Sequence, residues 1–255
     1  MTKPGKPFAI EVENLKKKYE KLVALKGISF NVQQGEIFGF LGPNGSGKTT
    51  TLLMLIGLTE PTKGWARVAD FDPTKEAIKV KEIVGYIPEN IGFYDDMNAI
   101  ENLLFIARLN NIPDAVSSPK IEDALESVGL KEEAEKKIGA YSRGMRQRLG
   151  IAEIYLKEPR VVFLDEPTLG LDPDGTTKII EYIQSLSKDK NMTILLSSHD
   201  LKQVQKISHR VGIMINGRMI AVGPIEELAK EKLGVGNKEI SLDDVYMKYF
   251  QEGSL

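Results

Sequence analysis

The chain is predicted to fold as an α/β domain around a phosphate-binding loop, with an antiparallel β subdomain and an inserted α-helical subdomain. Three observations carry this. The stretch Gly42-Pro43-Asn44-Gly45-Ser46-Gly47-Lys48-Thr49 stands between the apolar run Glu36–Leu41 and a segment without helix breakers. A second apolar run, Val161–Leu164, ends in Asp165-Glu166. Between them, residues 90–140 leave strand patterning for apolar residues at i, i+3 and i+4, the spacing of amphipathic helices.

Taken in order, Ala9–Val12, Gly27–Val32, Glu36–Leu41 and Ala66–Ala69 read as strands, with one helix over Lys48–Ile56. Asn98–Leu109 and Lys120–Gly129 read as helices. Two prolines and small polar residues make Ile112–Pro119 between them read as a loop. From residue 143 the α/β alternation returns: a helix to about Lys157, the Val161–Leu164 strand, a helix after Pro173, a strand at Thr193–Leu196 and a helix after His199. Arg210–Ile215 and Arg218–Val222 flank Asn216-Gly217, the signature of a two-residue hairpin. Residues 224–255 read as a helix and a short appendix, and the basic stretch 1–7 as a flexible tail.

Composition narrows the function. The 255 residues include 42% hydrophobic and 27% charged side chains, ordinary for a water-soluble fold, and can bury a sizeable core. A net charge of −2 gives no global field for nucleic acid, so no such partner is expected. With no cysteine, disulfides and thiolate metal sites are excluded. No run approaches the roughly 18 apolar residues of a membrane span, and the N-terminus lacks the apolar core of a signal peptide.

The glycine-rich stretch fits the phosphate-loop pattern through Gly42, Gly47, Lys48 and Thr49. Glycines let backbone N–H groups turn inward onto anionic oxygens, and the following helix offers its N-terminal donors and dipole. Lys48 would reach the β- and γ-phosphates, and the Thr49 hydroxyl would bind Mg²⁺. Asp165 and Glu166 stand at the C-terminal end of an apolar strand, where a parallel α/β sheet places its ligands. Asp165 can hold Mg²⁺ through water, and Glu166 can orient and deprotonate an attacking water. Taken alone, the pair could also simply cap the turn that Pro167 begins.

With the phosphate loop and Asp165-Glu166, two further segments complete a fixed order: Ser142-Arg143-Gly144-Met145-Arg146-Gln147-Arg148, and His199 within Ser197-Ser198-His199-Asp200. Together they resemble the ATPase subunit of ABC (ATP-binding cassette) transporters, of the exporter-like branch with separate membrane subunits, over about residues 8–223. The resemblance implies a phosphate-loop NTPase core of RecA type with a helical subdomain near 90–157. It implies ATP and Mg²⁺ as cofactors, with Gly42, Pro43, Asn44, Gly45, Ser46, Gly47, Lys48, Thr49 and Thr50 around the phosphates and Tyr19 stacked on adenine. Ser142, Gly144 and Gln147 would face ATP held by a second copy, in a head-to-tail sandwich dimer. Ser142 is in any case a good N-cap, and Arg143, Arg146 and Arg148 would oppose the dipole of the helix they begin unless an anion arrives. His199 would contact the γ-phosphate and brace Glu166, and Leu169–Asp172 would cross the dimer interface.

Glu89, in Gly85-Tyr86-Ile87-Pro88-Glu89, departs from the glutamine usual at this place, though a carboxylate can still ligate Mg²⁺. His209 lacks any such context and reads as structural. The resemblance further implies an integral membrane permease as partner, docked near Glu89–Asp96. The cassette would then lie in the cytoplasm, peripheral to the inner face of the cell membrane. The tail around Ile240–Tyr249 resembles that of export-type members. The alternative is a soluble ABC ATPase energising an assembly process other than transport. The transported substrate is not legible, because its path lies in another polypeptide.

Overall fold

The computed structural model describes residues 8–233 and 241–253. The tail expected at 1–7, and residues 234–240 and 254–255 of the C-terminal appendix, lie outside the described residues.

Two long strands open the chain, β1 (Phe8–Tyr19) and β2 (Leu22–Gln33), extending well beyond the apolar cores read from sequence. They pair antiparallel, and β4 (Lys63–Val68) joins the other side of β1 to complete a three-stranded sheet. The second sheet starts with β3 (Ile37–Leu41), which leads through the phosphate loop into α1 (Lys48–Leu55). Helix α2 (Ala77–Ile83) then feeds the edge strand β5 (Val84–Ile87). Sequence patterning missed that strand because its four residues are too few to show a period.

The helical insert comprises α3 (Ala99–Leu109), α4 (Asp114–Ser127) and α5 (Arg143–Lys157). Asn98 and Glu101 form a reciprocal capping box at the start of α3. Here the loop expected at Ile112–Pro119 is corrected: α4 already begins at Asp114 and carries Pro119 inside it. Pro113 occupies its N-cap, Ser118 Oγ donates back to the Asp114 carbonyl at 2.8 Å, and Arg108 grips the Asp114 carboxylate through two hydrogen bonds of 3.0 and 2.6 Å. These local bonds offset the one backbone donor that Pro119 lacks.

The chain then returns to the sheet with β6 (Val161–Asp165), α6 (Pro173–Lys188), β7 (Thr193–Ser198) and α7 (Leu201–Ile207), followed by the hairpin β8 (Arg210–Ile215) and β9 (Arg218–Gly223). Helices α8 (Ile225–Leu233) and α9 (Leu242–Gly253) close the described chain. Strand order is β5-β6-β7-β3-β8-β9, parallel except for the final hairpin. The fold is therefore α/β with one mixed and one antiparallel sheet, as expected.

Alternation along β3 divides two hydrophobic cores. Ile37 and Leu41 join the helices of the insert side, while Phe38 and Phe40 turn to the antiparallel sheet. There Phe30 of β2 meets both rings, with centroids 5.6 and 5.4 Å away. Each buried phenylalanine is worth about 1.5–3 kcal/mol relative to exposure, so this trio fixes one sheet upon the other. His209 does structural work at the far end of β3, its Nδ1 accepting from the Ile37 N–H and its own N–H donating to the Ile37 carbonyl, both at 2.9 Å.

The tip of the β8–β9 hairpin reaches further than its own strands. Asn216 and Gly217 both have left-handed φ, 49° and 75°, as a two-residue turn of this class requires. Gly217 N–H donates to the Ser46 carbonyl at 3.1 Å, and Lys26 N–H donates to the Gly217 carbonyl at 2.8 Å. One turn thus ties the phosphate loop to the antiparallel sheet.

Candidate active site

The phosphate loop wraps the N-terminus of α1. Gly47 occupies the N-cap at φ 106° and supplies no side chain to the first-turn donors. A Cβ there would meet Leu25 Cδ2 at 2.5 Å, so both conformation and space demand glycine. Those backbone donors suit an anion. Lys48 turns back over the loop: Nζ donates to the Gly42 carbonyl at 2.7 Å and lies 3.6 Å from Glu166 Oε1.

Around this loop lies a cleft of about 240 Å³. It is lined by Asn44, Gly45, Ser46, Gly47, Lys48, Thr49 and Thr50 together with Tyr19, Glu89, Asp165 and Glu166. The structure therefore brings together phosphate-loop, carboxylate and aromatic candidates that are far apart in sequence. Tyr19 stands at the end of β1, partly exposed, with Lys17 Nζ 4.7 Å from its ring centroid. Gly42 and Pro43 lie behind the cleft and present their carbonyls to Lys48.

The carboxylates are held differently. Asp165 Oδ1 accepts from Ser197 Oγ at 2.5 Å. Glu166 is left-handed at φ 50°, an uncommon state for a residue with a Cβ. Its N–H is fixed by the Ser197 carbonyl at 3.1 Å, and its Oε2 receives His199 Nδ1 at 2.9 Å and the His199 N–H at 3.3 Å. Oε1 is buried and accepts no hydrogen bond among the described residues. With Oε2 doubly engaged, Oε1 is the carboxylate oxygen without a hydrogen bond, 3.6 Å from Lys48 Nζ. The His199 side chain is about half exposed.

Two residues overlooked in the sequence belong here. Ser197 Oγ holds the Asp165 carboxylate and accepts from the Glu166 N–H, and its signal was its place at the end of an apolar strand two residues before His199. Tyr86 on β5 has its phenol pushed up to about 12, first by burial and then by the negative charge of Asp165. It stays a neutral donor near that carboxylate.

The Mg²⁺ reading can be tested on the donors present. No group of three or more His, Asp or Glu side chains converges among the described residues. Mg²⁺ is commonly held through one or two carboxylates and fills the rest of its shell with phosphate, water and the odd hydroxyl. Thr49, Asp165 and Glu89 on one cleft suit that demand.

Ser142, Gly144 and Gln147 lie elsewhere. Ser142 caps α5, its Oγ accepting from the Met145 N–H at 3.2 Å. Ser142 and Gly144 line a separate hollow of about 440 Å³ with Arg143, Gly170, Leu171 and Asp172. A Cβ on Gly144 would find nothing closer than 3.8 Å, so glycine leaves that approach open. Gln147 instead points inward, only 6% exposed. The expected cationic misfit at this helix start is smaller than three arginines suggested. Arg146 pairs with Asp95 at 2.6 Å, and Arg148 donates to the carbonyls of Val128 and Gly129. Arg143 remains exposed at the rim.

Comparison with known proteins agrees with this geometry. The ABC transporter family model matches residues 25–169. The bacitracin transport ATP-binding protein BcrA of Bacillus licheniformis is 40% identical over 87% of this chain and 71% of its own. The Nod factor export ATP-binding protein I of Ralstonia nicotianae (strain ATCC BAA-1114 / GMI1000) is 35% identical over 94% of this chain and 75% of its own. A solved structure described as an ATP-binding subunit of an ABC transporter superimposes with a TM-score of 0.85 at 28% identity, covering 95% of this chain and 99% of that one. With a phosphate loop and paired strand-end carboxylates on one cleft, and a histidine bonded to the second of those carboxylates, the chain belongs to the ATP-binding, ATP-hydrolysing subunits of ABC transporters.

Proposed function

We propose that this subunit hydrolyses ATP at the Lys48–Glu166 cleft, closes on a second copy, and thereby powers export by a separate membrane-spanning partner. One observation carries the reading. Ser142 and Gly144 open onto a hollow distinct from the phosphate-loop cleft of the same chain. Each copy then supplies a phosphate loop to one nucleotide and a helix start to the other, in a two-fold arrangement.

At each site the loop N–H groups and Lys48 hold the β- and γ-phosphates, and Tyr19 stacks on the base. Bound Mg²⁺, held by Thr49, Asp165 and Glu89, would neutralise phosphate charge. Glu166 Oε1 takes the proton of the attacking water while His199 holds Oε2. Gln147 would need to turn outward to touch nucleotide.

The division follows the same logic: residues 8–223 form the cassette, 90–157 its helical arm and 224–255 an appendix. No helix among the described residues is long and apolar enough to cross a membrane. The partner would therefore contribute the span, with this subunit peripheral on its cytoplasmic side. The segment Glu89–Asp96 offers the docking surface, with Tyr94 exposed and packed edge-on against Phe105 at 5.1 Å. Export as the direction is supported by the relative named for Nod factor export.

The test traps ATP with Glu166→Gln and follows mass by light scattering, with and without Gly144→Asp. Glu166→Gln should shift from monomer to dimer on adding ATP, and the added aspartate should abolish the shift while each copy still binds ATP. Equal dimer formation in both would remove Gly144 from the interface.

A further inference from the structure

Behind the contact between Glu166 and His199, the loops that carry these residues meet a second time. Thr168, two residues after Glu166, donates its hydroxyl to Gln203 Oε1. Gln203 Nε2 donates to Asp200 Oδ2 at 2.7 Å, and the Gln203 N–H donates to Oδ1 of the same carboxylate at 3.1 Å. Asp200 follows His199 directly, and its own N–H is held by Ser198 Oγ at 2.9 Å. A closed ring thus runs from Glu166 along the chain to Thr168, across Gln203 to Asp200, and back through His199 to Glu166 Oε2. Thr168 is only 9% exposed, so water competes poorly for its hydroxyl.

We infer that Gln203 is a positioning residue for ATP hydrolysis, keeping the loop after β6 in register with the turn after β7. The chemistry singles out an amide. Facing a hydroxyl donor on one side and a carboxylate acceptor on the other, the side chain must both accept and donate, which a neutral amide does in one plane. The ring also answers a local need. Left-handed Glu166 holds a conformation uncommon for a residue with a Cβ, which persists only where its surroundings over-determine it. Keeping His199 on Oε2 leaves Oε1 turned to Lys48 Nζ, 3.6 Å away, so loosening Gln203 lets the base wander without touching the phosphate loop. This inference rests on Glu166 being the base.

The experiment measures steady-state hydrolysis and fluorescent-nucleotide binding on the full chain. Its variants are Gln203→Met, Thr168→Val, the double variant, Thr168→Ser and Glu166→Gln. Small displacements of catalytic groups cost up to about 100-fold in rate, so Gln203→Met and Thr168→Val should each lower kcat about tenfold. KM for Mg-ATP should stay within about twofold, because the binding groups do not move. The double variant should be no slower than the slower single variant, since both break one ring. Thr168→Ser, which keeps the hydroxyl, should recover most of the rate lost in Thr168→Val. A wild-type kcat in Gln203→Met, or single losses that multiply in the double variant, would overturn the proposal. Glu166→Gln separates the two readings. If it hydrolyses ATP at the wild-type rate, the assignment of the base fails. If it is inert beside a fully active Gln203→Met, only the positioning role fails.

Discussion

Lys48 Nζ lies 3.6 Å from Glu166 Oε1, with both side chains more than nine-tenths buried. The ammonium's shorter contact is to the Gly42 carbonyl, so the pair is an attraction across the cleft floor rather than a closed hydrogen bond. The residue that would hold phosphate and the residue that would activate water therefore sense each other directly.

Removing that lysine should act on binding and on stability together. Lys48→Ala loses the point charge facing the phosphates and strands a buried carboxylate. ATP affinity should fall at least about tenfold, near 1.4 kcal/mol, by fluorescent-nucleotide titration. Wild-type affinity would remove Lys48 from the phosphate site.

At Glu89 the sequence departs from a glutamine, and the structure puts this exposed carboxylate on the cleft wall. Glu89→Gln should still hydrolyse Mg-ATP, yet need severalfold (~3-fold) more Mg²⁺ for half-maximal rate, because an amide is a weaker ligand for a hard cation. Superimposable Mg²⁺ titrations would make Glu89 a bystander.

On α5, burial pushes the Glu153 carboxyl up, only partly opposed by Lys157 one turn on. A raised folded-state pKa gives stability that is present below the ordinary carboxylate range and lost as pH rises through the shifted value. At neutral pH the charged form is therefore a burden. Glu153→Gln should raise the melting temperature at pH 7 by about 2 °C and make no difference near pH 4. A variant less stable than wild type at pH 7 would show that the pairing with Lys157 outweighs desolvation.

Legibility in the sequence followed how local the physics was. The phosphate loop declared itself because its glycines, lysine and threonine act within one turn of chain. So did the Asn216-Gly217 hairpin and the Asp172-Pro173 helix start, where Asp172 Oδ1 accepts the Gly175 N–H at 2.7 Å. The first half of helix α4 did not, because Pro119 signals a break that Ser118 and Arg108 overrule from their own side chains, while its second half was legible from the apolar spacing after Lys120. Ser197 was hidden for a different reason: its hydroxyl gains meaning only when β6 and β7 lie side by side. The partnering of Arg146 by Asp95 likewise depends on a fold that brings distant segments together.

The turn at Asn216-Gly217 has a practical consequence for anyone who would re-engineer this subunit. Exposed hairpin tips are ordinarily the safest places to graft a tag, open new termini or splice in a sensor. Here the tip's own N–H and carbonyl hold Ser46 and Lys26, and a Cβ on Gly217 would strike the Ala24 carbonyl at 2.6 Å. A graft at this point would pull on the back of the phosphate loop, so the hairpin is a keystone rather than a free end.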